Sequence, residues 1–368
     1  MNVVDRFRRG RLGGLVALAC GLGGLVALAV ATTQSGWGGV LYGFLFWLFA
    51  ALGCVQLRSV CGLVSGRWCR VVARPLDAAC WTVLPLVLAF VPICVGLEEL
   101  FVWARDAAVR SSPELSHKAR YLNEPFFFAR AAMYFVVWSA LSFGLVATAG
   151  TKRHGAWCAL TLVVIPTTTI FASLDWGLSL EPGFASTMYA LIWIVSQGVA
   201  GLAVAILWVR ARYGRTERIE ADPPVRIVHD LGNLLLTLVI LITYVSFLQY
   251  LIVWAGDLHA EIPWYLRRLA NGWDAVIVLA VALLFVLPFG LLLSRRIKRS
   301  LGAVGAIAAM VLAGQAVHLY WLIVPGVSPA VALYWPAVAG FLAVGGGWLV
   351  VFTTALLRVE HSKPQADP

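Results

Sequence analysis

The sequence predicts an all-α polytopic membrane protein with about ten transmembrane helices. Three observations predict it. Long apolar runs follow one another from Leu12 to Leu357, each near the ~20 residues a helix needs to cross a bilayer. Only 12% of the 368 residues are charged, against about 25% in soluble proteins. Mean hydropathy is +0.86, with no ~10-residue alternating segments of the kind a membrane β-barrel shows.

The runs place spans at 12–33, 40–64, 76–102, 126–149, 156–176, 186–209, 229–254, 272–294, 301–323 and 331–357. Together they form a single integral membrane domain over 1–368. The first span reads as an uncleaved signal anchor, because its apolar run outlasts a signal-peptide core and shows no small-residue exit. Two connections opposite the basic loops are long, 104–125 and 255–271. This pattern recurs four spans apart: Leu174-Asp175-Trp176 with Pro182 ends span five, and Leu319-Tyr320-Trp321 with Pro325 ends span nine. The sequence therefore suggests a first flanking helix (12–33), a four-helix unit at 40–176, a second at 186–323, and a last flanking helix at 331–357. In the second long connection, Glu261-Ile-Pro-Trp-Tyr-Leu-Arg-Arg puts a proline at a helix start and predicts a short interfacial helix. Trp81, Trp103, Trp138, Trp176, Trp254, Trp264, Trp273, Trp321 and Trp335 lie near span ends, as belt residues do.

Charge orients the chain. Arginines and lysines cluster at every second boundary: 6–11, 58–74, 152–153, 210–226, 295–299 and 358–363 hold 21 of the 28. The positive-inside rule puts these loops and both termini in the cytoplasm. The formal charge of +10 is then a topology signal, and attraction to anionic lipid is a sufficient reading of it. No nucleic-acid role follows.

The seven cysteines (20, 54, 61, 69, 80, 94 and 158) fall in spans or on the basic side, so packing is their expected role. There is no C-x-x-C, Walker A loop, helical H-E-x-x-H or G-x-S-x-G elbow. Arginine ladders and selectivity-filter loops are missing too.

Ionisable and polar groups inside spans are costly, which makes them the functional candidates. Glu98 and Glu99 close span three, Arg130 sits a turn into span four, and Asp175 ends span five. Gln249 and Tyr250 occupy the outer part of span seven, with Tyr244 and Ser246 deeper. Asp274 opens span eight. His318 lies in span nine, with Gln315 a turn earlier. His229-Asp230 opens span seven at the basic side, where Asp230 reads as a cap or macrodipole partner. A structural reading stands beside the functional one. Arg130 could pair with Glu98, Glu99 or Asp175, and His318 could be a hydrogen-bonded core residue. The functional reading is that Asp175, Gln249, Tyr250 and His318 converge in the outer half as a proton relay. No cofactor or metal ligation by this chain is expected, since no His lies at i±3 or i±4 of His318.

Four segments carry a family resemblance: Ser173-Leu-Asp-Trp-Gly-Leu-Ser-Leu-Glu-Pro; Tyr121-Leu-Asn-Glu-Pro-Phe-Phe-Phe-Ala-Arg; His229-Asp-Leu-Gly-Asn through Tyr244-Val-Ser-Phe-Leu-Gln to Pro263-Trp-Tyr-Leu-Arg-Arg; and Leu319-Tyr-Trp-Leu-Ile-Val-Pro. They resemble one of the two ten-helix membrane components of alternative complex III, a bacterial quinol:cytochrome c (or quinol:oxidase) oxidoreductase, within the NrfD/PsrC-like family. The resemblance spans about 42–325. It implies two four-helix bundles with a flanking helix at each end, in the bacterial inner membrane. It also implies a component without its own redox cofactor, working beside quinol or quinone. The implied partners are a paralogous ten-helix subunit, an iron–sulfur/molybdopterin-like subunit and multihaem cytochrome c subunits; those partners would hold the haem c and the iron–sulfur clusters. The paralogue is the better candidate for the quinol site, and this chain for a proton path. Two positions depart from the family pattern: Gly183, where His or another polar residue is expected, and Leu248, where a small polar residue is expected. Two other classes compete: a secondary transporter, suggested by Pro85, Pro92, Pro166 and Pro288 inside spans, and a structural membrane anchor.

Overall fold

The computed structural model of the protein describes residues 34–64, 66–213, 224–327 and 335–362, with Leu15 and Ala19. Every regular element among them is helical. The long helices are α1 (Gln34–Leu63), α4 (Glu124–Ala147), α5 (His154–Trp176), α6 (Thr187–Tyr213), α7 (Val225–Ala255), α10 (Leu301–Ile323) and α11 (Trp335–Ser362). Between α1 and α4 lie α2 (Arg67–Cys80) and α3 (Leu86–Val95). The short α8 (Ile262–Arg267) precedes α9, which runs Trp273–Leu293. Among the described residues, eight helices are long and apolar enough to cross a membrane: α1, α4–α7 and α9–α11. The protein is a multi-pass membrane protein.

Apart from Leu15 and Ala19, the expected span at 12–33 lies outside the described residues. The one expected at 76–102 is not a continuous helix. Helix α2 stops at Cys80, a turn carries the chain to Pro85, and only Leu86–Val95 resumes as regular apolar helix. Proline explains the break. Pro85 has no N–H to donate and its ring crowds the carbonyl four residues back, at Trp81. Trp81 and Thr82 instead bond the carbonyls of Ala78 and Ala79, three residues back. Pro166 leaves α5 continuous. Pro288 sits just after a π-helical stretch, Ala282–Val286, inside α9. The missing proline N–H frees a carbonyl, and a wider turn absorbs the mismatch.

Helix α1 is at the centre, packed on α5, α6 and α11. Helix α6 also contacts α5, α7 and α10, and α10 contacts α9. Two α1 contacts need glycine. A Cβ at Gly53 would overlap the Gln197 carbonyl oxygen on α6, and one at Gly43 would overlap the backbone of Gly340 on α11. Small residues let backbones meet where lipid offers no hydrophobic drive between helices.

The tryptophan expectation needs correction. Trp81, Trp254 and Trp335 are exposed, as belt residues are, but Trp103, Trp138, Trp176, Trp264, Trp273 and Trp321 are buried. Trp138 and Trp176 pack against Tyr134, Phe135 and each other at ring distances of 5.6–6.1 Å. Here the indoles fill the core. The cysteine expectation is also corrected in part: Cys61 and Cys69 form a disulfide between the end of α1 and the start of α2. Cys54, Cys80 and Cys158 are buried thiols. Asp230 is no cap, because α7 begins five residues earlier at Val225 with Pro224 at its N-cap.

Candidate functional site

The first polar centre is built by the start of α4 and the end of α5. Asn123 caps α4, its side chain accepting from the Phe126 N–H at 3.1 Å, and Pro125 fits the first turn. That start sets Arg130 facing the last turn of α5. Its Nε and Nη2 donate to the two oxygens of Asp175 at 2.9 and 2.8 Å, a bidentate fork. Nη1 donates to the Tyr121 carbonyl at 2.9 Å, and the Tyr134 hydroxyl donates to Asp175 at 2.7 Å. The guanidinium lies 3.9 and 4.2 Å from the ring centres of Tyr121 and Phe126. Burial, then the Asp175 carboxylate, push the Tyr121 hydroxyl up to about 12. Arg130 and Asp175 are buried and satisfied.

A second centre lies six residues further on. Glu181, past the end of α5, accepts from Arg268 Nη2 at 2.5 Å and pairs with Arg267 at 2.7 Å. Arg268 also donates to the Leu322 carbonyl at 2.9 Å and lies 3.7 Å from the Trp264 ring centre. The Trp321 indole N–H donates to the Arg268 carbonyl at 3.1 Å. Burial pulls the Arg268 guanidinium below its ordinary value, opposed by the Glu181 carboxylate. The segment 175–181 thus holds an arginine on each side: one from α4, one from the loop after α8.

Beside that arginine lock, joined to it through Trp321 and Leu322, lies the third centre, a cavity of about 500 Å³ between α7, α9 and α10. Its wall is mostly apolar, with Ser246, Gln249 and Tyr250 from α7, Tyr265 from α8 and His318 from α10. Leu284 and Phe285, from the π-helical turn of α9, complete it. Gln249 donates to the Tyr265 hydroxyl at 3.3 Å. Burial pushes that hydroxyl up to about 12, so it stays protonated and keeps its own hydrogen to give. Several polar atoms have no partner among the described residues: Gln249 Oε1, Ser246 Oγ and His318 Nδ1 at the cavity, and both amide atoms of Gln315, outside its lining and one turn from His318. Buried polar atoms are nearly always paired, so a cluster of orphans marks a place for water or ligand.

Towards the basic end the polar series continues. Gln197 on α6 donates to Thr169 at 3.3 Å and accepts from Gln56 on α1 at 2.5 Å. Two residues on, Arg58 donates to Asp77 at 2.5 Å, with His154 at 3.4 Å.

The candidates therefore separate. Gln249, Tyr250 and His318 meet at the cavity. Asp175 is not among its lining residues and is bound to Arg130 instead. The expected four-residue convergence divides into two centres, because a carboxylate one helix-end from a buried guanidinium is held by it. Tyr244 is 59% exposed and points away from the core. Glu98 and Glu99 are exposed, and it is their backbone carbonyls that accept from Arg105. His318 is buried, and its Nδ1 has no hydrogen-bond partner among the described residues. Arg268, Glu181, Tyr134, Tyr265, Gln56, Gln197 and Asp77 lie outside the candidates that sequence reasoning selects. Gln56 and Gln197 carry a usable signal, as amides inside apolar runs. Arg268 and Tyr265 read only as part of the expected interfacial helix. Among the described residues, no group of three His, Cys, Asp or Glu could hold a metal ion.

No known family model matches the chain, and none of the curated proteins compared with it is similar to it.

Proposed function

We propose that this chain is a non-redox membrane component of a bacterial respiratory quinol:cytochrome c (or quinol:oxidase) oxidoreductase, and that its role is to conduct protons linked to quinol oxidation. The reading takes it as ten spans in two four-helix units with a flanking helix at each end, in the inner membrane with both termini cytoplasmic. Its partners are the paralogous ten-helix subunit, the iron–sulfur/molybdopterin-like subunit and the multihaem cytochromes. The observation that supports it best is the orphaned polar set Ser246, Gln249 and His318 on the wall of one intramembrane cavity, with the orphaned amide of Gln315 one turn from His318. Such groups are retained inside a bilayer at a cost, and waters among them can pass protons. The amides of Gln197 and Gln56 and the Arg58–Asp77–His154 cluster supply the continuation towards the basic end. Asp175 and Arg130 lock the helix ends and carry no proton in this reading.

The test is twofold. A tagged chain drawn from its own membranes should bring down c-type haem and iron–sulfur proteins with quinol-oxidising activity. In that complex, His318→Ala with Gln315→Leu should slow proton-coupled turnover while assembly persists. A chain that purifies without redox partners, or a double variant with unchanged proton stoichiometry and rate, sinks the reading.

A further inference from the structure

A larger cleft lies elsewhere. It opens at the ends of α5, α6 and α7 opposite the basic loops, with a volume of about 950 Å³. This lies within the ~300–1,000 Å³ range of small-ligand sites. Its floor is apolar and includes Ile170, Leu191 and Ile252, which the protein leaves exposed. Its rim is a turn, 182–185, and the rim is charged. The Lys118 ammonium stands there and donates to the Pro182 carbonyl. Glu261 accepts from the Ala185 N–H at 2.9 Å. Glu114 Oε2 lies 3.9 Å from where a Cβ on Gly183 would stand. Ser186 and Thr187 bring the first N–H groups of α6 to the same wall, where helix amides lack intrahelical partners.

An apolar floor at span-end depth beneath a turn that has Lys118 on the cleft side and the carboxylates of Glu114 and Glu261 against its backbone has the layout of a lipid laid chain-down, headgroup-up. We propose that this cleft binds one phospholipid with an amine-bearing zwitterionic headgroup, phosphatidylethanolamine. The phosphate meets Lys118 and the first turn of α6, the ammonium meets Glu114 and Glu261, and the acyl chains cover Ile170, Leu191 and Ile252. An anionic headgroup would set its net charge beside two carboxylates, with Lys118 to offset them. A choline headgroup has no N–H to donate to them. The proposal needs only the membrane location and does not depend on the respiratory reading.

Native mass spectrometry of the full chain in mild detergent tests it. The purified protein should keep one phosphatidylethanolamine after bulk lipid is stripped. On adding lipids back, that adduct should form in preference to phosphatidylglycerol or phosphatidylcholine by about tenfold. Leu191→Trp, which fills the floor, should remove the adduct. Glu261→Gln with Glu114→Gln should erase the preference for the amine headgroup while leaving the fold intact; this second variant keeps the test decisive if the first does not fold. No retained lipid, equal affinity for the three headgroups, or phosphatidylglycerol taken first would overturn it. A photoreactive group at position 191 that captures a protein in native membranes and no lipid would overturn it as well.

Discussion

The Arg130 centre and the His318 centre are opposite solutions to placing polar groups in an apolar protein. Around Arg130 each charge is met: two oxygens by a fork, one of them also by the Tyr134 hydroxyl, and the guanidinium face by two rings. Around His318 the polar atoms are left open on a cavity wall. Saturation fixes geometry, because every alternative arrangement leaves a buried charge unpaired. Orphans are costly and do nothing for rigidity, so keeping several of them in one place argues for use. The difference teaches that ionisability alone is a poor guide to function inside a membrane. Asp175, the carboxylate of the relay expected from the sequence, is locked by Arg130 and Tyr134.

The comparison is broken first by removing charge. Arg130→Ala leaves Asp175 buried without its charge partner and should cost about 3–5 kcal/mol. A fall in the thermal midpoint of the detergent-solubilised protein, or loss of folded material in gel filtration, would report it. A variant as stable as the parent would mean that the fork is ornamental. Removing polarity at the other centre should have the opposite sign. Gln315→Leu removes two unsatisfied atoms at similar volume and should leave stability unchanged or raise it by about 1–3 kcal/mol. If it destabilises as Arg130→Ala does, the orphans have partners and the contrast collapses.

Alkaline pH sharpens the comparison. Tyr121 beside the first centre and Tyr265 beside the cavity are both held up to about 12. The folded state then binds more protons than the unfolded state between about 10 and 12. The stabilisation is complete below the ordinary tyrosine value and is lost as pH rises through the folded one. Midpoints should fall over that window, and Tyr265→Phe should flatten part of the fall. Equal slopes in parent and variant would exclude Tyr265 from it. The smallest effect belongs to Tyr244→Phe. That side chain is mostly exposed, so stability and turnover should stay within about 0.5 kcal/mol of the parent. A larger loss in membranes would place a partner against that face.

Much of the architecture is legible from one property, the length of each apolar run. Eight expected spans correspond to the eight long apolar helices with ends shifted by a few residues, because the requirement to satisfy backbone groups internally is local to each run. The short helix at Ile262–Arg267 is readable from proline chemistry. The third span is misplaced by hydropathy, which does not register the break at Pro85. The buried tryptophans escape sequence reading because an indole near a span end is equally at home in a belt or in a core. The site is half legible. Gln249, Tyr250 and His318 are visible as polar letters in apolar text, and they do share a wall.

The sequence by itself determined that the chain lives in a membrane, roughly where it crosses, and which polar side chains lie within the crossings. Those are properties of single segments, set by residue hydropathy and rise per turn. Only the tertiary structure decided which of those groups face one another. It gave Asp175 to Arg130, Glu181 to Arg268, and His318 and Gln249 to a common cavity. The physical reason is that pairing depends on the rotation and depth of each helix against its neighbours. Those are fixed by contacts such as Gly53 on Gln197, remote in sequence and silent in any single run.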